Sequence, residues 1–182
     1  MKNCVALAMI CLLYSQASFT QTFFSVQWEV TEPTESFREA AGTGFGVRAT
    51  YAYFTTSHFA LTGSAGYVKW GPRVNLPLNN DYKFIVIPVH VGMKFLLSKG
   101  VVAPYVGLSL GMDYVRSRGI APNATIYRDS NELKFGFSPQ VGTGFHIAGP
   151  VGINLTGAYN IVYTTGKPSK YFGLNAGLAF GF

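Results

Sequence analysis

Charge is scarce in this chain. Only 12% of its 182 residues are Asp, Glu, Lys or Arg, about half the share usual for a soluble domain. Much of its apolar surface must therefore face something other than water. Cysteine is scarcer still: Cys4 and Cys11 are the only two, both close to the start. Long apolar runs are also lacking. Beyond residue 17 no window of 18 consecutive apolar residues occurs, which excludes a transmembrane helix. No linker, low-complexity tract or break in composition divides the chain, so a single domain is expected.

The first residues read as a segment to be removed. Lys2 supplies a positive start, Val5–Tyr14 is an apolar run, and Ser15-Gln16-Ala17 places small residues where a signal peptidase needs them. The reading is a signal peptide over 1–17, with cleavage after Ala17 or a few residues later, followed by one domain over 18–182. Ile10 stands before Cys11 where lipid attachment would need a small residue. Both cysteines leave with the signal, and with them disulfide, zinc-thiolate and thiol chemistry. Without Lys2, 13 basic residues oppose 8 acidic ones, a formal +5. No basic run or helix gathers that excess, so nucleic acid is not an expected partner.

What the chain does have is alternation. In Tyr171–Phe182, Phe172, Leu174, Ala176, Leu178, Phe180 and Phe182 form an apolar face, and Gly173, Asn175, Gly177 and Gly181 a small or polar one. A period of two with unlike faces is the signature of a strand between two environments. Seven further segments repeat it, near residues 23–30, 42–55, 59–70, 82–96, 102–115, 133–147 and 151–163. Pro88 and Pro139 fall inside two of them, where a missing N–H argues for bulges or shorter strands.

The connectors alternate in length. Those at 31–41, 71–81 and 116–132 are long and polar and 164–170 is moderate, whereas 56–58, 98–100 and 148–150 are tight. Long loops at one end and tight turns at the other describe an eight-stranded antiparallel transmembrane β-barrel of up-and-down topology. At eight strands side chains fill the interior, so an aqueous pore is not expected. A soluble barrel also alternates, but its water-facing side would be rich in Lys and Glu. Here the non-apolar face is mostly Gly, Ser, Thr, Asn and Gln, and the apolar face carries Phe, Tyr and Trp, as a lipid-facing band does.

Two stretches carry a family resemblance. Phe84-Ile85-Val86-Ile87-Pro88-Val89-His90-Val91-Gly92-Met93-Lys94-Phe95, followed by Pro104-Tyr105-Val106-Gly107-Leu108-Ser109-Leu110-Gly111, resembles the small outer-membrane β-barrel domain proteins of Bacteroidetes-type bacteria. The chain is more distantly similar to the OmpA, OmpX and opacity-protein barrels. The resemblance implies a bacterial outer-membrane location with both termini periplasmic. It implies contact with outer-membrane lipid and lipopolysaccharide, and with the barrel-assembly machinery during biogenesis. Tyr171, Phe180 and Phe182 resemble the terminal aromatic assembly signal of such barrels. The implied role is structural or surface-interacting, with an extracellular ligand reached through the loops. The alternative is a narrow channel or a transporter of small hydrophobic molecules, similar to OmpW. A lipid A-modifying enzyme comes third.

The residues offer two sets of candidates. Glu29, Arg48, His90, Lys94, Asp113 and Gln140 fall on predicted lumen faces, as a self-neutralising network or as an ion path; unpaired buried charge is costly, which favours the network. Arg73, Arg116, Arg118, Arg128, Lys167 and Lys170 lie in or beside the long connectors, where Arg and Lys suit lipopolysaccharide phosphate. Loops also carry charge simply because strands facing lipid cannot. Neither catalytic residues nor a cofactor or metal site is expected. The lipid A deacylase type needs a Ser two residues after its His, whereas His58, His90 and His146 are followed at that spacing by Ala60, Gly92 and Ala148. Gly42-Thr43-Gly44 and Gly142-Thr143-Gly144 lack the following helix that a phosphate cradle requires.

Overall fold

The structure, a computed structural model, describes residues 22–34, 37–72, 83–120, 127–163 and 168–181. The expected signal peptide, Arg73, Lys167 and Phe182 lie outside these residues. Eight strands follow one another: β1 (Thr22–Thr34), β2 (Ala41–Phe54), β3 (Phe59–Pro72), β4 (Lys83–Leu96), β5 (Val102–Ile120), β6 (Tyr127–Ala148), β7 (Val151–Tyr163) and β8 (Ser169–Phe180). One short helix, α1 (Phe37–Ala40), sits between β1 and β2. Each strand pairs antiparallel with its neighbour in sequence, and β1 pairs with β8, closing the barrel.

The period-two pattern decides which side chain goes where. In β1, Phe24, Val26, Trp28 and Val30 point outward while Ser25, Gln27, Glu29 and Thr31 are buried. Trp28 stands between Val47 of β2 and Ala176 of β8 and is 69% exposed. The same parity puts Val89, Val91 and Met93 of β4, and Leu174 and Leu178 of β8, on the outside. A continuous outward belt of aliphatic and aromatic side chains results, the inverse of a soluble protein and the form required by a lipid surround. The closed ladder satisfies backbone polar groups without water. No helix among the described residues is long and apolar enough to cross a membrane; the strands cross.

Two expectations are corrected. First, Pro88 and Pro139 produce neither a bulge nor a shortened strand. The β3–β4 ladder skips from Ala65↔Val89 to Val68↔Val86, and the β6–β7 ladder from Phe137↔Ile161 to Gln140↔Ala158, without a change of register. On their other sides both prolines keep their places, opposite Asp113 and Leu108. Each proline thus interrupts one flank while the opposite flank carries the strand through. Second, β5 and β6 run well into the connector expected at 116–132, where Arg116↔Asn131, Arg118↔Asp129 and Gly119↔Arg128 are paired. Tyr171 lies on the opposite face from Phe172 and Phe180. It is 2% exposed and points into the barrel, because it has the parity of Gly173 and Asn175.

Candidate functional site: the barrel lumen

At the long-loop end the lumen is closed by aromatic packing. Trp70 on β3 meets Tyr171 on β8, with ring centroids 5.0 Å apart, and Phe84 on β4 at 5.7 Å. Phe37 on α1 reaches down onto both Trp70, at 5.6 Å, and Phe84, at 5.0 Å. All four contacts are edge-on, the arrangement that aromatic quadrupoles favour. Ala41, Val68, Val86, Val115 and Val162 complete the cluster. The indole needs a gap in the facing strand: a Cβ on Gly44 would lie 2.5 Å from Trp70 Nε1.

Below this cluster lie two ion pairs. Arg48 donates from Nε and Nη2 to the two carboxylate oxygens of Glu29, both at 3.0 Å. His90 Nε2 lies 3.0 Å from Asp113 Oδ1. Both pairs are diagonal cross-strand neighbours, within reach of long side chains. Glu29 is directly opposite Gly46, with Arg48 two residues along β2. His90 is opposite Gly111, with Asp113 two residues along β5. Glycines on the flanking strands leave room for these side chains: a Cβ on Gly173 would lie 2.8 Å from Glu29 Oε1, and one on Gly136 2.7 Å from His90 Nε2. The bidentate fork of Arg48 is the stronger geometry. Among the described residues His90 Nδ1 has no partner, so no nucleophilic side chain of theirs is hydrogen-bonded to this imidazole. Ser138 Oγ donates to Asn160 Oδ1 at 2.9 Å in the same region.

The middle of the lumen is filled by short polar side chains. Gln27, Thr50, Thr62, Ser109, Gln140 and Asn175 surround a void of only about 10 Å³, room for about one water. Gln27 Nε2 donates to the Asn154 carbonyl and to Thr156 Oγ1, each at 3.3 Å.

Toward the tight-turn end Tyr105 crosses the lumen. Its hydroxyl bonds Asn154 Oδ1 at 3.0 Å and Thr156 Oγ1 at 2.6 Å. A Cβ on Gly142 would lie 2.5 Å from the phenol, so glycine there is what admits the ring. Lys94 Nζ stands 4.4 Å from the Tyr105 ring centroid, a cation–π contact. Beyond Tyr105 the lumen opens into a cavity of about 460 Å³ bounded by Phe23, Phe54, Leu96, Lys94 and His146.

The lumen candidates therefore separate. Glu29 with Arg48 and His90 with Asp113 form two pairs, Gln140 lines the small void, and Lys94 belongs to the cavity at the other end. Among the basic candidates, Arg116 and Arg118 are on β5, Arg128 on β6 and Lys170 on β8. Sequence reasoning missed Trp70, Tyr105 and Asn154. All three have the parity of the small, polar face, which was the available signal. No group of three or more His, Cys, Asp or Glu side chains stands together among the described residues.

A closed eight-stranded barrel with a lipid-type outer belt and a polar interior is an outer-membrane protein. The chain belongs to the outer membrane protein beta-barrel domain family, which it matches over residues 4–182. Its fold is similar to that of Neisserial surface protein A, at 16% identity and a TM-score of 0.66, covering 89% of this chain and 97% of that one. It is also similar to Ail, the attachment invasion locus protein of Yersinia pestis, at 16% identity and a TM-score of 0.58, covering 87% and 97%. The outer membrane protein OprG of Pseudomonas aeruginosa aligns at 10% identity and a TM-score of 0.59, covering 88% and 95%. Comparison with curated proteins returns no match.

Proposed function

We propose that this barrel is a non-catalytic outer-membrane protein with a structural or surface-interaction role. It presents its long-loop end to the cell exterior and keeps both termini in the periplasm. The observation that carries this reading is the aromatic closure at Trp70, Tyr171, Phe37 and Phe84. An end sealed by packed rings is a platform and not a mouth. The reading that the protein is a narrow channel or a transporter of small hydrophobic molecules would require this cluster to move.

The platform has a chemical character. Arg116, Arg118 and Arg128 lie on the paired extension of β5 and β6, and guanidinium groups suit sulfate and phosphate oxygens. Ail has been solved with the heparin analogue sucrose octasulfate, which supports a polyanion as the kind of ligand sought. Cells displaying the protein should bind immobilised heparin, and replacing all three arginines by Gln should remove most of that binding. Equal binding by both cell types would sink the polyanion reading. Cysteine labelling of intact cells tests the orientation: labelling at Arg128→Cys but not at Ser98→Cys is expected, and the reverse inverts it. The absence of catalysis is tested by mass spectrometry of lipid A from cells with and without the protein. A changed acyl pattern that is lost in His90→Ala would replace this reading by an enzyme.

A further inference from the structure

We propose that the cavity at the tight-turn end is a binding site for a small single-tailed anion, a carboxylate or phosphate on a short alkyl chain, whose head group is held by the Lys94 ammonium. Lys94 is 6% exposed, and its recorded contact is the Tyr105 ring. The two buried carboxylates of the lumen are already committed, Glu29 to Arg48 and Asp113 to His90. Among the described residues no Asp or Glu lines the cavity. An ammonium taken out of water without a counter-charge is costly, and the aromatic face offsets only part of that cost. The site therefore has a standing preference for an anion.

A second donor points the same way. Asn154 is 1% exposed and lines the cavity floor. Its Oδ1 accepts from Tyr105, and its Nδ2 has no hydrogen-bond partner among the described residues. An anion beside Lys94 would meet a fixed charge together with an amide donor held in place by Tyr105. Lys99 adds positive charge at the mouth. The walls ask for something else, since Phe23, Ala52, Phe54, Leu96 and Ala103 are apolar. A volume of about 460 Å³ falls in the range of small-ligand pockets. A charged floor under apolar walls matches a polar head on an apolar tail, and neither inorganic phosphate nor a neutral hydrocarbon satisfies both. The inference does not rest on the surface-interaction reading. With the orientation proposed above, the mouth faces the periplasm.

The test uses the whole barrel in lipid nanodiscs with ¹³C-labelled alanine methyl groups. Ala52 and Ala103 line the cavity, whereas Ala65 and Ala176 are exposed on the lipid-facing side. Hexanoate, hexyl phosphate, hexanol and inorganic phosphate are titrated separately. Hexanoate or hexyl phosphate should shift Ala52 and Ala103 saturably while Ala65 and Ala176 stay still. The tighter of the two identifies a free carboxylate or a lipid-type phosphate as the source. Hexanol and inorganic phosphate should each bind at least about tenfold more weakly, the loss of one charge-assisted contact or of the apolar wall. Lys94→Met should remove the advantage of hexanoate over hexanol, and Lys94→Arg should keep it. Hexanol matching hexanoate, or shifts at Ala65 and Ala176 in parallel with Ala52, would overturn the proposal. Both of those outcomes are read on the unmodified protein.

Discussion

At the long-loop end, four aromatic rings pack edge-on, with contacting centroids 5.0–5.7 Å apart. At the tight-turn end Tyr105 alone crosses the lumen, and a cavity of about 460 Å³ remains beyond it. The two ends arise from the same alternation on the same eight strands. They differ in what the inward positions hold. Near Trp70 the inward residues are Val68, Val86, Val115 and Val162, and the charges just below are paired. Near Tyr105 the inward residues include small Ala52 and Ala103 and a cation whose recorded contact is a ring face. One half of the lumen is built for stability, and the other leaves part of its interaction capacity unspent.

That contrast can be broken by single substitutions. The largest effect is expected at Arg48→Met, which strands Glu29 in the lumen and should cost about 3–5 kcal/mol. Urea unfolding in lipid measures it, and an unchanged midpoint would mean that this region is wet. Removing both partners together, as Glu29→Leu with Arg48→Met, should recover most of the loss. Next comes Trp70→Ala, expected to cost about 3 kcal/mol for the cavity left in the aromatic cluster. If the seal resides there, the same variant should raise conductance across planar bilayers; an unaltered current would show that other residues close that end. Gly142→Ala should cost about 1–3 kcal/mol by overpacking, because Tyr105 must leave its place over that glycine. The smallest change is predicted for Lys94→Met, under about 1 kcal/mol, because the desolvation cost of the buried, unpaired ammonium offsets most of its contact with the Tyr105 ring. A Lys94 variant as unstable as the Arg48 variant would make the two ends alike and remove the contrast.

The architecture was legible because lipid enforces a strict period of two. Parity alone put Glu29, Arg48, His90, Lys94, Asp113 and Gln140 inside. It did not say which of them meet, because partner choice depends on register. The Glu29–Arg48 pair follows from Gln27 lying opposite Arg48, and a shift that set Ser25 opposite Arg48 would preserve every face while separating the charges. Trp70 and Tyr105 were missed for a different reason. Large rings on a face of Gly, Ser and Asn run against composition, and they fit only where a glycine of the facing strand, such as Gly44 or Gly142, gives way. The extension of β5 and β6 was read as loop because alternation fades where both faces meet polar surroundings. The prolines misled because a strand has two flanks and needs only one to hold its course.

The barrel has one joint that no connector spans. Every other neighbouring pair of strands is tied by the chain itself, whereas β1 and β8 meet only through the ladder that runs from Phe24↔Phe180 to Thr34↔Lys170. These partners are the most distant in sequence of all the strand pairings, so their meeting carries the largest loss of chain freedom. Until the first strand finds the last, two open flanks face hydrocarbon with unsatisfied N–H and C=O groups, which a membrane does not tolerate. The barrel is therefore an all-or-nothing object: half of it has no stable existence in lipid, and the final strand is the latch that makes the rest possible.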